Sequence, residues 1–231
     1  MRFGPRLYTC KGLSTTFPQP RLTLPSPTLT APAFGDPLPI EASPETLAFL
    51  ARRRSASAMT LHAPGPDASA LRELLTLAAR APDHGKLAPW RFVILRGTAK
   101  DAFVRGLEAI AAARPDAAKA LAKLGKIRTP PLTIAVVSHV APGEIPDWEQ
   151  RLSAGAVCAM MVTAAQAMGF GANWITDWYA YDHDATDLLG LKAGEQVAGF
   201  VQLGSTDEAP LERVRPDVTA ITTEWAPERI G

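Results

Sequence analysis

The stretch from Trp148 to Met168 limits what this chain can fold into more than any other. It carries the longest helical signal, and after Arg151 it is apolar nearly all round. A helix without a polar face belongs in an interior rather than on a surface. The spacing therefore predicts a buried central helix with the other elements packed around it. Ser153, Ala154, Gly155, Ala156 and Ala159 make part of that helix thin, which permits close approach of another helix or of a flat ligand. Gly169 and Gly171 end it.

The partners for such a helix are legible as short apolar runs. Phe92-Val93-Ile94-Leu95 reads as a buried strand, and the β-branched run Leu132–Val137 as a central one. Trp174-Ile175 begins a short strand and Val197–Leu203 forms another. Helices separate them. Ser43-Pro44-Glu45 supplies an N-cap, a proline at the first helical position and an acid near the positive end. Leu47, Phe49 and Leu50 carry that helix to Arg52-Arg53-Arg54. Asp67 or Ser69 caps a second helix, with Leu71, Leu74, Leu75 and Ala78 on one face. Thr98 caps a third, with Phe103, Leu107 and Ile110 inward; a fourth follows Pro115 with Leu121 and Leu124, and a short one spans Asp184 to Leu189. Strands separated by helices give an α+β (mixed α/β) class. Periodicity alone does not order the sheet.

Residues 1–42 are unlike the rest. They are rich in Pro, Ser and Thr, and no acid appears before Asp36. They read as a disordered extension, an upstream start codon that is not the true one, or a targeting-like segment. The folded unit is expected over 43–206, with 207–231 as a proline-containing C-terminal arm.

Composition excludes several functions. The formal net charge of +1 suggests neither nucleic acid nor a membrane surface as partner. No apolar run is long enough to span a bilayer. Cys10 and Cys158 lie far apart, a poor disulfide pair that fits a reducing, cytoplasmic compartment. His62, His84, His139 and His183 stand at no ligand spacing, so no metal site is expected. No Gly-x-Gly-x-x-Gly follows a strand, and there is no P-loop and no Gly-x-Ser-x-Gly.

What remains is a set of loop motifs. Arg53-Arg54-Ser55 ends the first helix and offers fork-shaped donors suited to phosphate, although cations also favour a helix C-terminus for its own sake. Arg80-Ala81-Pro82-Asp83-His84 with Pro89-Trp90 forms a loop held between a helix and a strand, where binding groups tend to sit; a polar turn whose Trp plugs the core is the plainer alternative. Trp148-Glu149-Gln150 precedes the small-residue helix, and Gly169-Phe170-Gly171 follows it.

These four motifs, in this order over roughly residues 44–206, resemble the nitroreductase family, FMN-dependent NAD(P)H oxidoreductases, and in particular its short members. The resemblance implies a mixed central sheet flanked by helices and an intertwined homodimer with a flavin at each subunit interface, the C-terminal arm crossing to the partner. It implies flavin contacts at Arg53, Arg54 and Ser55, at Arg80 and His84, and at Trp174, Ile175 and Thr176. Ala164, Ala165, Gln166, Ala167, Met168 and Gly169 match a segment linked to nicotinamide-cofactor binding. Close relatives commonly carry Arg where this chain has Ile175. The implied reaction passes hydride from NAD(P)H through FMN to a small-molecule acceptor such as a nitro compound or quinone, by ping-pong turns with no catalytic side chain named. A flavin-storage protein, or a flavin enzyme performing dehalogenation or flavin breakdown on the same fold, are the alternatives.

Overall fold

A run of seven buried residues in the strand β2 (Leu132–His139) forms the middle of the molecule. The structure, a computed structural model, describes residues 31–226. Most of the expectation for residues 1–42, and Cys10 with it, lies outside that range. Two compact units divide at Pro37, and in the first the described residues form a turn in which Asp36 accepts from the Ala33 N–H at 2.7 Å. The second unit carries everything else.

Four strands build its sheet: β1 (Trp90–Arg96), β2, β3 (Gly171–Ile175) and β4 (Glu195–Gly204), in the spatial order β1-β2-β4-β3. All three pairings are antiparallel, with Ile94 opposite Ile134, Ile134 opposite Val201, and Asn173 opposite Gln202. The α+β class is as expected. The mixture of strand directions expected of the sheet is absent from its pairings, and the reason is topological. β2 and β3 run parallel, joined by the long helix α6 (Asp147–Ala167), but β4 is inserted between them and pairs antiparallel with both.

The sheet separates two apolar layers by side-chain alternation, and a register shift between β2 and β4 at Val136/Val137 puts Val197 and Phe200, three residues apart, on the same face. On one face Ile134, Val136, Val201 and Leu203 pack with α6 and with α2 (Ala68–Ala78), which contributes Leu71 and Leu74. On the other, Ala135, Val197 and Phe200 pack with α3 (Gly97–Ala112), α4 (Ala117–Lys123), α5 (Gly125–Arg128) and α7 (His183–Leu188). Asp67 is the cap of α2, accepting from the N–H groups of Ser69 and Ala70 at 2.9 and 2.8 Å. α3 begins one residue before Thr98, at Gly97, so Thr98 is inside the helix and Arg96 precedes it.

Two helices depart from expectation in their burial. α1 (Pro44–Arg52) is capped by Ser43 as predicted, yet none of its residues is buried. α6 is not enclosed on all sides. Its residues Trp148, Leu152, Ala159 and Met160 are exposed, with Gly155 and Ala156 half-buried between them. These positions recur every three to four residues, which places them on one stripe of the helix. Leu152 retains 54% of its surface and Trp148 68%. Of the small residues, Ser153 and Ala154 turn inward, and Gly155, Ala156 and Ala159 lie on the uncovered face.

Candidate functional site

α6 organises the candidate site by gripping a different loop at each end. At its start, Glu149 accepts from His84 Nδ1 at 2.7 Å, and the Ser153 hydroxyl donates to the Pro82 carbonyl. Between them Gln150 turns inward, almost fully buried. Its amide accepts from the Ala141 N–H at 2.8 Å and donates to the carbonyls of Ala141 and Ile145 at 2.9 and 3.0 Å. That holds the 141–146 loop against Gly85, where an added Cβ would meet Ile145 at 3.1 Å. The Trp148-Glu149-Gln150 motif therefore divides its work between solvent, His84 and a buried clamp.

The loop so held is tightly wound. Gly85, Lys86 and Ala88 have φ of 78°, 56° and 45°, and for Lys86 and Ala88 the left-handed region is uncommon. Asp83 fixes the turn by accepting from the N–H groups of Leu87 and Ala88 at 3.2 and 2.8 Å. Strain maintained by side-chain bonds is a recurrent property of binding loops. His84 and Arg80 are exposed on this loop, whereas Trp90 is half-buried against the core, so the plug reading holds for the Trp alone.

At the far end of α6, Gln166 Nε2 donates to the Arg54 carbonyl. The Ala56 N–H donates to the Ala172 carbonyl at 3.0 Å, and Asn173 Nδ2 donates to the Ala56 carbonyl. A cleft of about 430 Å³ opens here, lined by Arg54, Ser55, Ser57, Thr60 and Asn173 on one side and residues 208–211 of the arm on the other. Arg54 Nε donates to the Leu211 carbonyl at 2.8 Å and lies 3.9 Å from Glu212. The Arg213 N–H, with Arg215 and Arg54, holds the Glu212 carboxyl below its usual range. The arm thus starts on its own protomer.

Trp174 stands at the sheet edge with its indole seated over Gly199, where a Cβ would come within 1.9 Å of Nε1, and with Gly155 of α6 nearby. Nε1 donates to the Ala198 carbonyl at 3.2 Å, and 42% of the side chain stays exposed. The outward carbonyl of Ala172 fixes the alternation of β3. Trp174 accordingly turns its main-chain groups to the open edge, and Ile175 turns its own toward β4. The Ile175 side chain packs into the second apolar layer. Thr176 follows, exposed, just beyond the strand.

Residues 164–169 form the closed end of α6. Met168, Phe170 and Gly169 donate their N–H groups to the carbonyls of Ala164, Ala165 and Gln166, and Gly169 takes φ 83°, the arrangement that typically closes a helix. Ala164 and Ala165 are buried; Ala167 and Gly169 are exposed.

The sequence profile of the nitroreductase family matches residues 50–205. The chain belongs to the nitroreductase family. A protein of Escherichia coli K12 carrying the provisional name NAD(P)H nitroreductase YdjA is 32% identical over 182 residues, 78% of this chain and 98% of that protein. Among solved structures, a nitroreductase-like protein of Bacillus cereus superposes with a TM-score of 0.71 at 22% identity, covering 81% of this chain and 99% of its own. A Bacteroides fragilis nitroreductase solved with bound FMN gives 0.61 at 22% identity, covering 79% and 100%.

In this member of the family the binding residues singled out by sequence near α6 lie mainly at its two ends. Arg53, Arg54, Ser55 and the 164–169 segment gather at one end of α6, and Arg80 and His84 at the other, while Trp174 stands between them against Gly155, with Thr176 two residues further on. From Glu149 to Gln166 the helix advances about 25 Å at 1.5 Å per residue, so one protomer does not bring the groups together. Asn173, Gly199 and the pairing of Glu149 with His84 enter only through the fold. Asn173 and Gly199 are unremarkable as letters, and Glu149 gains meaning only once α6 meets the 80–89 loop. Cys158 is no nucleophile, since burial pushes its thiol up to about 12.

Proposed function

We propose that this nitroreductase is an FMN-dependent NAD(P)H oxidoreductase. It reduces nitro compounds, quinones or similar electron-poor acceptors in the cytoplasm, as a homodimer with a flavin at each subunit interface. One observation carries the reading: Arg54 and His84 sit at opposite ends of α6, with a partly open stripe through Leu152, Gly155, Ala156, Ala159 and Met160 between them. A two-fold axis pairs identical surfaces. If two copies pair through this stripe with their α6 helices antiparallel, Arg54 of one protomer comes beside the partner's His84. Each FMN then has donors from both chains.

The residues present suit such a ligand. The cleft at Arg54 brings a guanidinium, the hydroxyls of Ser55, Ser57 and Thr60 and the Asn173 amide together, a donor set fitted to a phosphate and a polyol. Arg53, Arg54 and Ser55 would hold the phosphate. The outward main-chain groups of Trp174, with Thr176, would face the ring, and Arg80 and His84 would close the site from the other subunit. The surface at Ala167 and Gly169 would border the nicotinamide cofactor. FMN supplies the chemistry when bound, taking hydride from NAD(P)H and delivering it to the acceptor; the protein binds, orients and excludes solvent. Ile175 gives no reason to assign another task, because its side chain lies in the core.

Steady-state kinetics tests the reaction. Varying NADPH at several fixed concentrations of a nitroaromatic acceptor should give parallel double-reciprocal lines, as alternating use of one site requires. Intersecting lines would contradict it.

A further inference from the structure

We propose that Glu149 is a positioning residue that fixes the tautomer and direction of the His84 imidazole, so that Nε2 accepts a hydrogen bond from an O–H or N–H donor of the bound flavin. The inference rests on the FMN reading above and adds a residue that reading does not assign.

His84 Nδ1 and Glu149 Oε2 lie 2.7 Å apart. An ionised carboxylate only accepts, so the proton of a neutral imidazole must be on Nδ1. The other nitrogen, Nε2, then carries the lone pair. A histidine without such a partner is free to exchange tautomers and rotate. Glu149 removes both freedoms before the ligand arrives, which is how second-layer groups commonly orient ligating histidines.

A purely structural role would be redundant. The backbone of this loop already has three independent holds: Ser153 bonds the Pro82 carbonyl, Asp83 takes the N–H groups of Leu87 and Ala88, and Ile145 packs on Gly85. Ser153 and Glu149 are four residues apart on one face of α6. One grips the main chain and the other reaches only the imidazole. Both His84 and Glu149 are exposed, at 64% and 45%, and a pair that open adds little to stability. What it does determine is which nitrogen faces outward.

Three full-length proteins test this: wild type, Glu149→Ala and Glu149→Gln. The first readout needs no flavin. Long-range 1H–15N spectra of the imidazole nitrogens should show His84 as the Nδ1–H tautomer in the wild type; Glu149→Gln, whose amide can accept from Nδ1–H or donate to a bare Nδ1, should keep only part of that preference. Glu149→Ala should lose it. The second readout is FMN affinity by fluorescence quenching: Glu149→Ala should bind about 3- to 10-fold more weakly, the range for losing one oriented hydrogen bond, with Glu149→Gln restoring part of the loss. Melting temperatures should differ by less than about 3 °C. An Nε2–H tautomer in the wild type overturns the inference, as does a Glu149→Ala protein that binds FMN as tightly as a binding-competent wild type. A wild type that fails to bind FMN is a separate result, seen before any variant is compared. It overturns the FMN reading and the role assigned to Nε2 with it.

Discussion

Glu195 bonds across the sheet to a strand with which it does not pair. Arg91 on β1 donates to both its carboxylate oxygens, at 2.7 and 2.6 Å, passing over β2, and the Lys192 N–H adds a third bond at 2.8 Å. The Arg91 hydrogen bonds hold the Glu195 carboxyl down at about 2, with the Lys192 N–H reinforcing them against burial. Its folded value is below its unfolded one. The stabilisation is therefore complete above the ordinary carboxylate range and is lost as pH falls from about 4.5 towards 2. Glu195→Gln should cost about 2 kcal/mol in urea unfolding at pH 7, the range for a charge-assisted bond, and the gap to wild type should narrow as pH falls towards 2. A gap that stays constant would show that charge is not the source. At Gly199 the constraint is space. Gly199→Ala would displace the Trp174 indole, since the new Cβ falls on its Nε1, and should alter the near-ultraviolet circular dichroism with a loss of about 1–3 kcal/mol. For the flavin itself, Arg54→Ala should weaken FMN about 10- to 100-fold while leaving riboflavin, which lacks the phosphate, nearly unchanged. Equal losses for both ligands would place the phosphate elsewhere.

At the scale of elements, local signals in the sequence were reliable and long-range ones were silent. The Ser43 cap, the Asp67 cap, the buried run of β2 and the glycine end of α6 are all written in neighbouring residues, and each stands where its chemistry put it. The insertion of β4 between β2 and β3 is not, because strand pairing joins residues far apart and leaves no period behind. α6 shows the difference most clearly. Its near-uniform apolarity was read as burial within the protomer, yet the stripe through Leu152, Ala159 and Met160 is open. Hydropathy sums over all faces of a helix and does not say which of them the protomer leaves open. The motifs were legible as a set because each is short and local. Their separation by the length of α6 was not, and neither was the pairing of Glu149 with His84. Leu152→Asp, placed on the stripe, should leave the protomer folded by far-ultraviolet circular dichroism and convert a dimer to monomer in sedimentation velocity, with FMN lost in parallel. A protein that is monomeric before the change would remove the basis for the composite site.

On the proposed reading each chain carries two half-sites that a second copy would complete. Such a site has a consequence for mixtures. Arg54→Ala and His84→Ala proteins should each bind FMN poorly. After subunit exchange half the dimers are heterodimers, in which one site carries both defects and the other neither. About a quarter of all sites should therefore recover. No recovery after proven exchange would mean that both residues act within one protomer. The most direct measurement of the central claim is the visible spectrum of the purified full-length protein, reconstituted with FMN and then treated anaerobically with NADPH or NADH. The account predicts a bound flavin spectrum that bleaches on addition of the nicotinamide and returns on addition of a nitroaromatic acceptor. A protein that takes up no FMN, or holds it and stays yellow with both donors, would contradict it.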